Sequence, residues 1–315
     1  MRLVCVRAEG LNPYYNQAIE SALLELADDQ TEVLYLWQND KTVVIGKNQN
    51  AYVECKIPHI VADGGYVARR ISGGGAVYHD KGNLNFTFLS SKKNFSIPKN
   101  FEIMMGAMRR LGFDAQLNGR NDVVIDGKKF SGNAFYKGNT CFHHGTVLIK
   151  TDKQMMSSYL NVPEVKLSAK GVKSVVSRVV NLSEIDSSVD ADKVADALIS
   201  EFGCYYGGEV EMLRPSELDQ AKVQEQLKLF SDEKWQLMDN VYYDAQAVVR
   251  LSWGTADIRL KLSGSVIEKA KIYSDGLDVE EVQRKEQLLV GADLYKGKQD
   301  VDDILSAFKE QKNGF

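Results

Sequence analysis

The chain lacks the features that mark several large classes of protein. Its four cysteines, Cys5, Cys55, Cys141 and Cys204, form no C-x-x-C pair, which argues against a zinc ribbon or a disulfide framework and fits reduced thiols. No apolar run reaches the length of a membrane span, and the first residues lack the apolar length and cleavage site of a signal peptide. These absences predict a cytoplasmic protein that does not associate with membranes.

The charge balance argues against a nucleic-acid-binding protein. The formal net charge is −4 and the isoelectric point is about 5.7, whereas nucleic-acid-binding domains usually present a basic face. With 44% hydrophobic and 26% charged residues, the composition is that of a soluble globular protein that can bury a sizeable core. The length of 315 residues predicts roughly two domains.

Strands and helices are predicted to follow one another irregularly, which favours an α+β fold over a doubly wound α/β fold. A helix is predicted to begin at Asn12, which caps it, with Pro13 in the first helical position. The runs 33–37 and 42–45 are predicted to pair as strands around Asn39. A break at 231–235, followed by strand-like runs and then helical segments near 280–290 and 302–311, predicts a small α+β C-terminal domain. The predicted domains are residues 1–235 and 246–315.

The most informative segment is the run 69–80, which reads RRISGGGAVYHD. Three glycines between two strand-like runs let the backbone approach a ligand and direct N–H groups at it. Arg69 and Arg70 add fixed charge and planar donors that suit a phosphate or a carboxylate. The run fits neither a Walker A loop nor G-x-G-x-x-G, so the common nucleotide-binding loops are not indicated. The segment therefore predicts an anion-binding loop of another kind.

Another cluster of polar and small residues spans 119–134. After a predicted Asp126-Gly127 turn, strand alternation puts Lys129 and Ser131 on one face and Phe130 on the other. By itself, Lys129 could equally be a solvated surface lysine.

Two further segments carry polar residues. His143 and His144 are adjacent in a predicted strand and so point to opposite faces, which argues against a shared metal ion. The segment 166–179 is basic and rich in small residues, and could be either a solvated loop or a lid whose charges meet a polyphosphate.

Taken in order, these segments resemble the lipoate–protein ligase A family, and the resemblance covers nearly the whole chain. The matching segments are 16–20, 42–50, 69–80, 119–122, 129–134, 143–146, 169–171 and 174–182. One departure lies near the end of the large domain, where the family has Trp followed two and three residues later by an aromatic residue and Gly. Here Trp235 is followed at those positions by Leu237 and Met238, which puts the domain boundary and the hinge geometry in question.

The resemblance implies both a fold and a reaction. The family's large domain is similar to biotin protein ligases and class II aminoacyl-tRNA synthetases, with a mixed β-sheet flanked by helices, and a small C-terminal domain follows it. Family members activate lipoate with ATP to lipoyl-AMP, release pyrophosphate, and transfer the lipoyl group to a lysine ε-amine of an acceptor domain. The implied acceptors are lipoyl domains of 2-oxo acid dehydrogenase E2 subunits and the glycine cleavage H protein.

The resemblance also implies roles for individual residues. Lys129 would be catalytic, bridging the lipoate carboxylate and the α-phosphate. Asp122, with Asn121, would bind Mg²⁺, which prefers oxygen ligands and substrate phosphates. The residues expected at ATP and the adenylate are Arg70, Gly75, Ala76, Val77, Tyr78, Lys129, Lys173 and Arg178. Those expected at lipoate are Trp37, Arg70, Ser72, His79 and Lys129. Residues 163–180, which contain Lys173 and Arg178, are expected to be a lid that is mobile without ligand.

Alternatives remain open at this stage. An octanoyl- or lipoyl-transferase of the same fold would act through a Cys141 thioester without ATP, although residues 139–142 contain nothing that would depress a thiol pKa. A non-enzymatic lipoate-binding protein would need neither Arg70 nor Lys129, yet both are present. The acyl substrate could also be biotin or another short acid, because the sequence constrains the tail pocket poorly.

Overall fold

The computed structural model of the protein describes residues 1–119, 121–161, 178–238, 243–294 and 296. Its strands, numbered in chain order, are β1 Arg2–Arg7, β2 Thr31–Trp37, β3 Thr42–Ile45, β4 Tyr66–Arg69, β5 Val77–His79, β6 Asn83–Ser91, β7 Gln116–Asn118, β8 Asp122–Ile125, β9 Lys128–Lys137, β10 Thr140–Leu148, β11 Val210–Leu213, β12 Ala245–Leu251, β13 Gly254–Ser263 and β14 Val266–Ser274.

The helices likewise follow chain order. They are α1 Pro13–Ala22, α2 Ala51–Glu54, α3 Ile57–Ala62, α4 Ile97–Arg110, α5 Lys153–Tyr159, α6 Ala191–Tyr206, α7 Gln220–Phe230, α8 Glu233–Leu237 and α9 Val279–Leu289. Capping explains where several begin. The side chain of Asn12 accepts hydrogen bonds from the first-turn N–H groups of α1, with Pro13 in the first position as predicted. None of the described helices is long and apolar enough to cross a bilayer.

An eight-stranded mixed sheet forms the centre of the large domain, in the order β11-β1-β2-β6-β10-β9-β8-β7. Strand β1 runs parallel to β2 and β11, and the other neighbours in the sheet are antiparallel. Helices α4 and α6 pack on one face with residues such as Phe86 and Phe88. Helices α1 and α7 cover the other face, which carries Tyr35 and Trp37. The predicted mixed sheet flanked by helices is confirmed.

The predicted pairing of 33–37 with 42–45 is wrong. Strand β2 lies between β1 and β6 in the large sheet, with Trp37 opposite Asn85. Strand β3 instead belongs to a three-stranded sheet of order β4-β3-β5, parallel to β4 and antiparallel to β5. The turn residues between the two runs therefore connect two sheets. This arrangement places the run 69–80, called the glycine-rich run from here on, beside the large sheet, where it joins β4 to β5.

The C-terminal unit contains a separate antiparallel sheet of order β12-β13-β14, with α9 packed on it around its own apolar core. The predicted small α+β domain is confirmed to this extent, and the helix predicted near 302–311 lies outside the described residues. The end of β14 and the residues after it contact the large domain at two points. Gly74 N–H, in the glycine-rich run, donates to the Gly276 carbonyl at 2.9 Å, and Ser274 N–H donates to the carbonyl of Asn48, which follows β3, at 2.8 Å.

Candidate active site

Lys129 is directed into the site by a β-bulge. In the β8–β9 ladder, Val124 pairs with Lys129 and Val123 pairs with Ser131, so Phe130 is the extra residue. The predicted alternation of Lys129 and Ser131 on one face is therefore wrong. The Ser131 hydroxyl lies 4.0 Å from Met104 Sδ in the main core, where Phe130 also packs. The bulge separates Lys129 from both residues, and its side chain lines the cavities described below.

Lys129 forms an ion pair with Asp122 across the β8–β9 hairpin. The distance from Lys129 Nζ to Asp122 Oδ1 is 2.7 Å, and each side chain is about one-third exposed, at 33% and 30%. The tight turn of this hairpin is formed by Asp126 and Gly127, whose φ angles are 49° and 72°. A cation and a carboxylate at this exposure can exchange partners readily, because water and an arriving ligand both compete for them.

The three consecutive glycines are in different surroundings, and a side chain would meet different atoms at each of them. A Cβ on Gly73 would lie 2.5 Å from the Gly276 carbonyl oxygen, and Gly74 has a φ of +94° with Arg70 Nη2 only 2.9 Å from its would-be Cβ. At Gly75, a Cβ would meet no protein atom within 4 Å. Packing therefore accounts for the first two glycines, whereas Gly75 lines the cavity without being required by the protein itself.

Arg70 shapes the glycine-rich run from within. Its guanidinium donates to the carbonyls of Gly73 at 2.7 Å, Gly75 at 2.8 Å and Val44 at 3.2 Å, and its Nε donates to Ser72 Oγ at 3.0 Å. Burial lowers the pKa of Arg70 to about 10, so the side chain still carries its charge at neutral pH. Arg70 lines the cavity, but most of its donors are committed to holding the loop.

Arg69 points away from the site. It is fully buried and donates to backbone carbonyls on two segments, 46–49 and 235–236, at distances of 2.6 to 3.1 Å. In return, Trp235 Nε1 donates to the Arg69 carbonyl at 2.9 Å. The interpretation that both arginines serve a ligand is therefore wrong for Arg69, whose guanidinium is hydrogen-bonded to backbone carbonyls instead.

A narrow cavity of about 120 Å³ lies between the glycine-rich run and the large sheet. It brings together eight of the residues predicted for the site: Trp37, Arg70, Gly75, Ala76, Val77, His79, Asn121 and Lys129. Trp37 and His79 meet edge to face at 5.9 Å. Burial, with the charges of Arg70 and His144, lowers the pKa of His79 to about 3, so this wall is uncharged at neutral pH. An uncharged aromatic wall suits an aliphatic ligand.

A wider cavity of about 690 Å³ adjoins the first. Ala76, Val77, Lys129 and Thr146 line both, and Tyr78, Asp122 and Arg178 line the wider one. Val77 and Tyr78 belong to β5, which pairs with β3, so their backbone groups are shared with a sheet ladder, while Gly75 and Ala76 precede the strand. Lys173 and residues 163–177 of the predicted lid lie outside the described residues.

Two predicted residues stand apart from the cavities. Ser72 is fully buried behind Arg70 and contacts His144 Nε2 at 2.8 Å, and it lines neither cavity. Cys141, the nucleophile of the thioester alternative, is buried 3.6 Å from the Gly138 carbonyl and also lines neither.

The two adjacent histidines do point to opposite faces. His143 packs among Phe101 and Phe135 and lies 2.9 Å from Asn133 Oδ1, whereas His144 faces the cavity. Among the described residues, no group of three or more His, Cys, Asp or Glu side chains could hold a metal ion.

Sequence reasoning missed several residues of the narrow cavity. They are Val44, Asn85, Asn133, Ala134, His144 and Thr146. Four of them come from the β9–β10 hairpin, and Asn85 comes from β6, whose pairing with β10 cannot be read from residues so far apart in the chain. Glu20, buried on α1 and 2.8 Å from His144 Nδ1, was noted only as part of the family pattern.

Met238 occupies the position where the family pattern has glycine. Its φ of 60° and ψ of 156° lie in a region that favours glycine, at a cost of about 1–3 kcal/mol for another residue. At the end of α8, Met238 therefore adopts a backbone conformation that glycine would adopt without strain.

Two family descriptions and several known proteins match this chain. The family described as the lipoyl protein ligase A/B catalytic domain matches residues 12–203, and the family described as the bacterial lipoate protein ligase C-terminus matches residues 240–314. A lipoate-protein ligase A of Psychrobacter cryohalolentis is 38% identical, over 98% of this chain and 93% of that protein.

Two solved structures are also similar. The P. falciparum LipL1 structure in complex with lipoate has a TM-score of 0.83 at 27% identity and covers 96% of this chain and 93% of its own. A lipoate-protein ligase A bound with ATP has a TM-score of 0.67 at 27% identity, over 75% of this chain and 99% of its own. Since a family match extends over more than half of the chain and a relative this similar aligns along nearly all of it, the chain belongs to the lipoate–protein ligase A family of enzymes.

Proposed function

We propose that the protein is an ATP-dependent lipoate–protein ligase that works in two steps, through an enzyme-bound lipoyl-AMP. The observation that carries this proposal is the position of Lys129, whose side chain lines both the narrow cavity with its uncharged Trp37–His79 wall and the wider cavity that carries Asp122 and Arg178. The narrow cavity suits the lipoyl chain, and the wide one suits the nucleotide. Their junction is then where an acyl carboxylate meets the α-phosphate.

In the first step, a lipoate carboxylate oxygen attacks the α-phosphorus of ATP, and the bond to the oxygen bridging to the β-phosphate breaks, releasing pyrophosphate. Both partners are anionic, so the step requires charge neutralisation and in-line alignment. Lys129 would supply the charge between them. Gly75 and Ala76 would present N–H groups to the nucleotide, with Val77 and Tyr78 forming the wall beside it. A side chain at Gly75 would occupy ligand space, which explains a glycine that protein packing does not require.

Asp122 would change partners when the substrates bind. Its carboxylate is paired with Lys129 in the structure, at 2.7 Å. Once Lys129 turns to the substrate anions, the Asp122 carboxylate and the amide oxygen of Asn121 are suited to Mg²⁺, which takes one or two protein oxygens and completes its shell with phosphates and water. Mg²⁺ would supply neutralisation of the phosphate charge. Arg178, which lines the wide cavity, would approach the same phosphates, and Lys173 would join it from the lid.

In the second step, the neutral ε-amine of an acceptor lysine attacks the acyl carbon. An amide forms, AMP leaves with the electron pair of the mixed anhydride bond, and the amine proton passes to solvent. The acceptors proposed are lipoyl domains of 2-oxo acid dehydrogenase E2 subunits and the glycine cleavage H protein. Residues 1–235 would carry both steps, and residues 246–315 would form the accessory domain, whose β14 end lies against the glycine-rich run.

One assay tests the proposal. Purified protein is incubated with lipoate, ATP and Mg²⁺, and pyrophosphate is measured before an acceptor lipoyl domain is added and its mass followed. We expect pyrophosphate without acceptor, and an acceptor mass gain that requires ATP. The Cys141→Ser variant is expected to keep both activities. In a parallel incubation, an octanoyl or lipoyl thioester replaces lipoate and ATP; acceptor modification that proceeds there and disappears in Cys141→Ser would establish the thioester alternative instead.

Gly132→Ala is expected to reduce activity without affecting the fold. A Cβ at this position would lie 2.7 Å from Lys129 Nζ and 2.9 Å from its Cε, and the flexible end of Lys129 would move aside. Since a misplacement of roughly 1 Å can cost about 100-fold in rate, we expect pyrophosphate release to fall by about that factor. The control is Gly10→Ala, whose Cβ would meet nothing within 4 Å. A normal rate in Gly132→Ala would show that Lys129 need not hold its observed position.

A further inference from the structure

A buried carboxylate on α1 connects two walls of the narrow cavity. Glu20 is 2% exposed, and its Oε1 lies 2.8 Å from His144 Nδ1 and 2.7 Å from Thr87 Oγ1. Two side chains that the proposed function does not use, His144 and Thr87, therefore converge on one oxygen atom. A buried carboxylate is costly unless its charge is satisfied, so its presence here requires an explanation.

The first chain of hydrogen bonds from Glu20 ends at Arg70. His144 Nε2 lies 2.8 Å from Ser72 Oγ, which in turn accepts from Arg70 Nε at 3.0 Å. Among the described residues, no carboxylate contacts the buried Arg70 directly. Glu20 is nevertheless the carboxylate whose charge counteracts the effect of burial on the pKa of Arg70. The chain thus joins the buried Arg70 to the buried Glu20 through two side chains, Ser72 and His144.

The second chain ends at Trp37. The indole Nε1 donates to Thr87 Oγ1 at 3.1 Å, and the Thr87 hydroxyl donates to Glu20. In this chain the indole can only donate, so the hydrogen bonds run toward the carboxylate and terminate on it. A proton on Nδ1 of His144 would let the first chain run in the same way, from the Arg70 guanidinium to the carboxylate. Hydrogen bonds aligned in this way strengthen one another, so the loss of the terminal acceptor loosens every member.

We propose that Glu20 is the positioning residue of the acyl pocket: through Thr87 it orients Trp37, and through His144 and Ser72 it orients Arg70. One buried carboxylate thereby sets the aromatic wall and the charged loop relative to each other. The inference rests on the proposed binding of lipoate in the narrow cavity, along Trp37 and beside the loop that Arg70 holds. It explains why Ser72 is fully buried behind the loop and lines neither cavity.

The test replaces Glu20 with glutamine, which has the same shape and no charge. We expect the KM for lipoate and the dissociation constant measured by calorimetry to rise about tenfold or more, since both chains would then end on a neutral amide oxygen instead of a charged carboxylate. The matched control is Glu32→Gln. Glu32 is 1% exposed on β2 and contacts Ser90 Oγ at 2.5 Å, outside the site. Glu32→Gln is expected to keep the wild-type KM for lipoate even if its thermal midpoint falls as much as that of Glu20→Gln.

Variants of the individual chains distinguish positioning from general stabilisation. Thr87→Val removes the Trp37 chain, and Ser72→Ala removes the Arg70 chain. With fluorotryptophan incorporated at the chain's three tryptophans, the Trp37 ¹⁹F resonance is expected to shift in Glu20→Gln and Thr87→Val but not in Ser72→Ala or Glu32→Gln. Adding Thr87→Val to Glu20→Gln should raise the KM for lipoate no further, since both act through one atom.

The outcomes are decisive in each case. A lipoate KM within twofold of wild type in Glu20→Gln, or the same rise in Glu32→Gln, overturns the inference. If Glu20→Gln does not fold, a normal lipoate KM and an unshifted Trp37 resonance in Thr87→Val overturn it instead. A wild-type protein that releases no pyrophosphate from lipoate and ATP would refute the proposed function, whereas an active wild type with unaffected variants would refute this inference alone.

Discussion

Lys129→Ala is expected to abolish adenylate formation while the protein remains folded. Lys129 is the cation at the junction of the two cavities, where the carboxylate and the α-phosphate would meet. Losing a charge placed at a transition state costs about 10³-fold in rate, or more when the step joins two anions. Pyrophosphate release with lipoate, ATP and Mg²⁺ measures this directly, and near-normal release would remove Lys129 from the mechanism.

The same substitution should scarcely affect stability. The ion pair of Lys129 with Asp122 is about one-third exposed on both sides, and pairs of this kind contribute about 0–1 kcal/mol. The orphaned Asp122 would remain hydrated. Lys137→Ala, an exposed lysine at the end of the same strand, is the matched control and should retain full activity with an unchanged thermal midpoint.

Local signals were sufficient where the structure itself is local. The start of α1 is set by Asn12 and Pro13, and the β8–β9 hairpin by the Asp126-Gly127 turn, so each could be predicted from a few adjacent residues. The partner of β2 could not. Strand β6, which pairs with it, comes some fifty residues later, while the nearer candidate β3 is drawn into a second sheet. Pairing between distant strands depends on the packing of whole faces, which no short pattern contains.

The site shows the same division between local and tertiary information. The glycine-rich run and Lys129 were identified from the sequence, because they are unusual residues in the order that the family shares. The bulge at Phe130 was not, since a bulge depends on register and adds no distinctive residue type. Glu20 and Thr87 were missed as positioning residues because each is ordinary in its own segment. Their significance appears only in the folded chain, where α1, β6 and β10 bring Glu20 Oε1 within 2.7 Å of Thr87 Oγ1 and 2.8 Å of His144 Nδ1.

Arg69 and Arg70 are adjacent and identical, yet their side chains have different roles. The second large effect that we expect is a loss of stability when Arg69 is replaced. Arg69→Met is expected to lower the free energy of unfolding by about 3–5 kcal/mol. Its guanidinium donates to carbonyls on both sides of β4, and an apolar side chain would leave those buried acceptors unsatisfied. Urea denaturation measures the change, and Arg2→Met, which breaks an exposed pair with Glu211, should cost about 0.5 kcal/mol or less.

Catalytic parameters then separate the two arginines. In Arg69→Met, the fraction that remains folded should bind lipoate and ATP with near-normal KM values. In the part of the chain that the structure describes, Arg69 lines neither of the two cavities. In Arg70→Met, the KM for lipoate should rise even at temperatures where the protein is fully folded, since Arg70 holds the carbonyls of Gly73 and Gly75. An Arg69→Met protein of wild-type stability would contradict this division. So would an Arg70→Met protein with unchanged substrate affinity, because Arg70 would then not be needed to hold the loop that lines the narrow cavity.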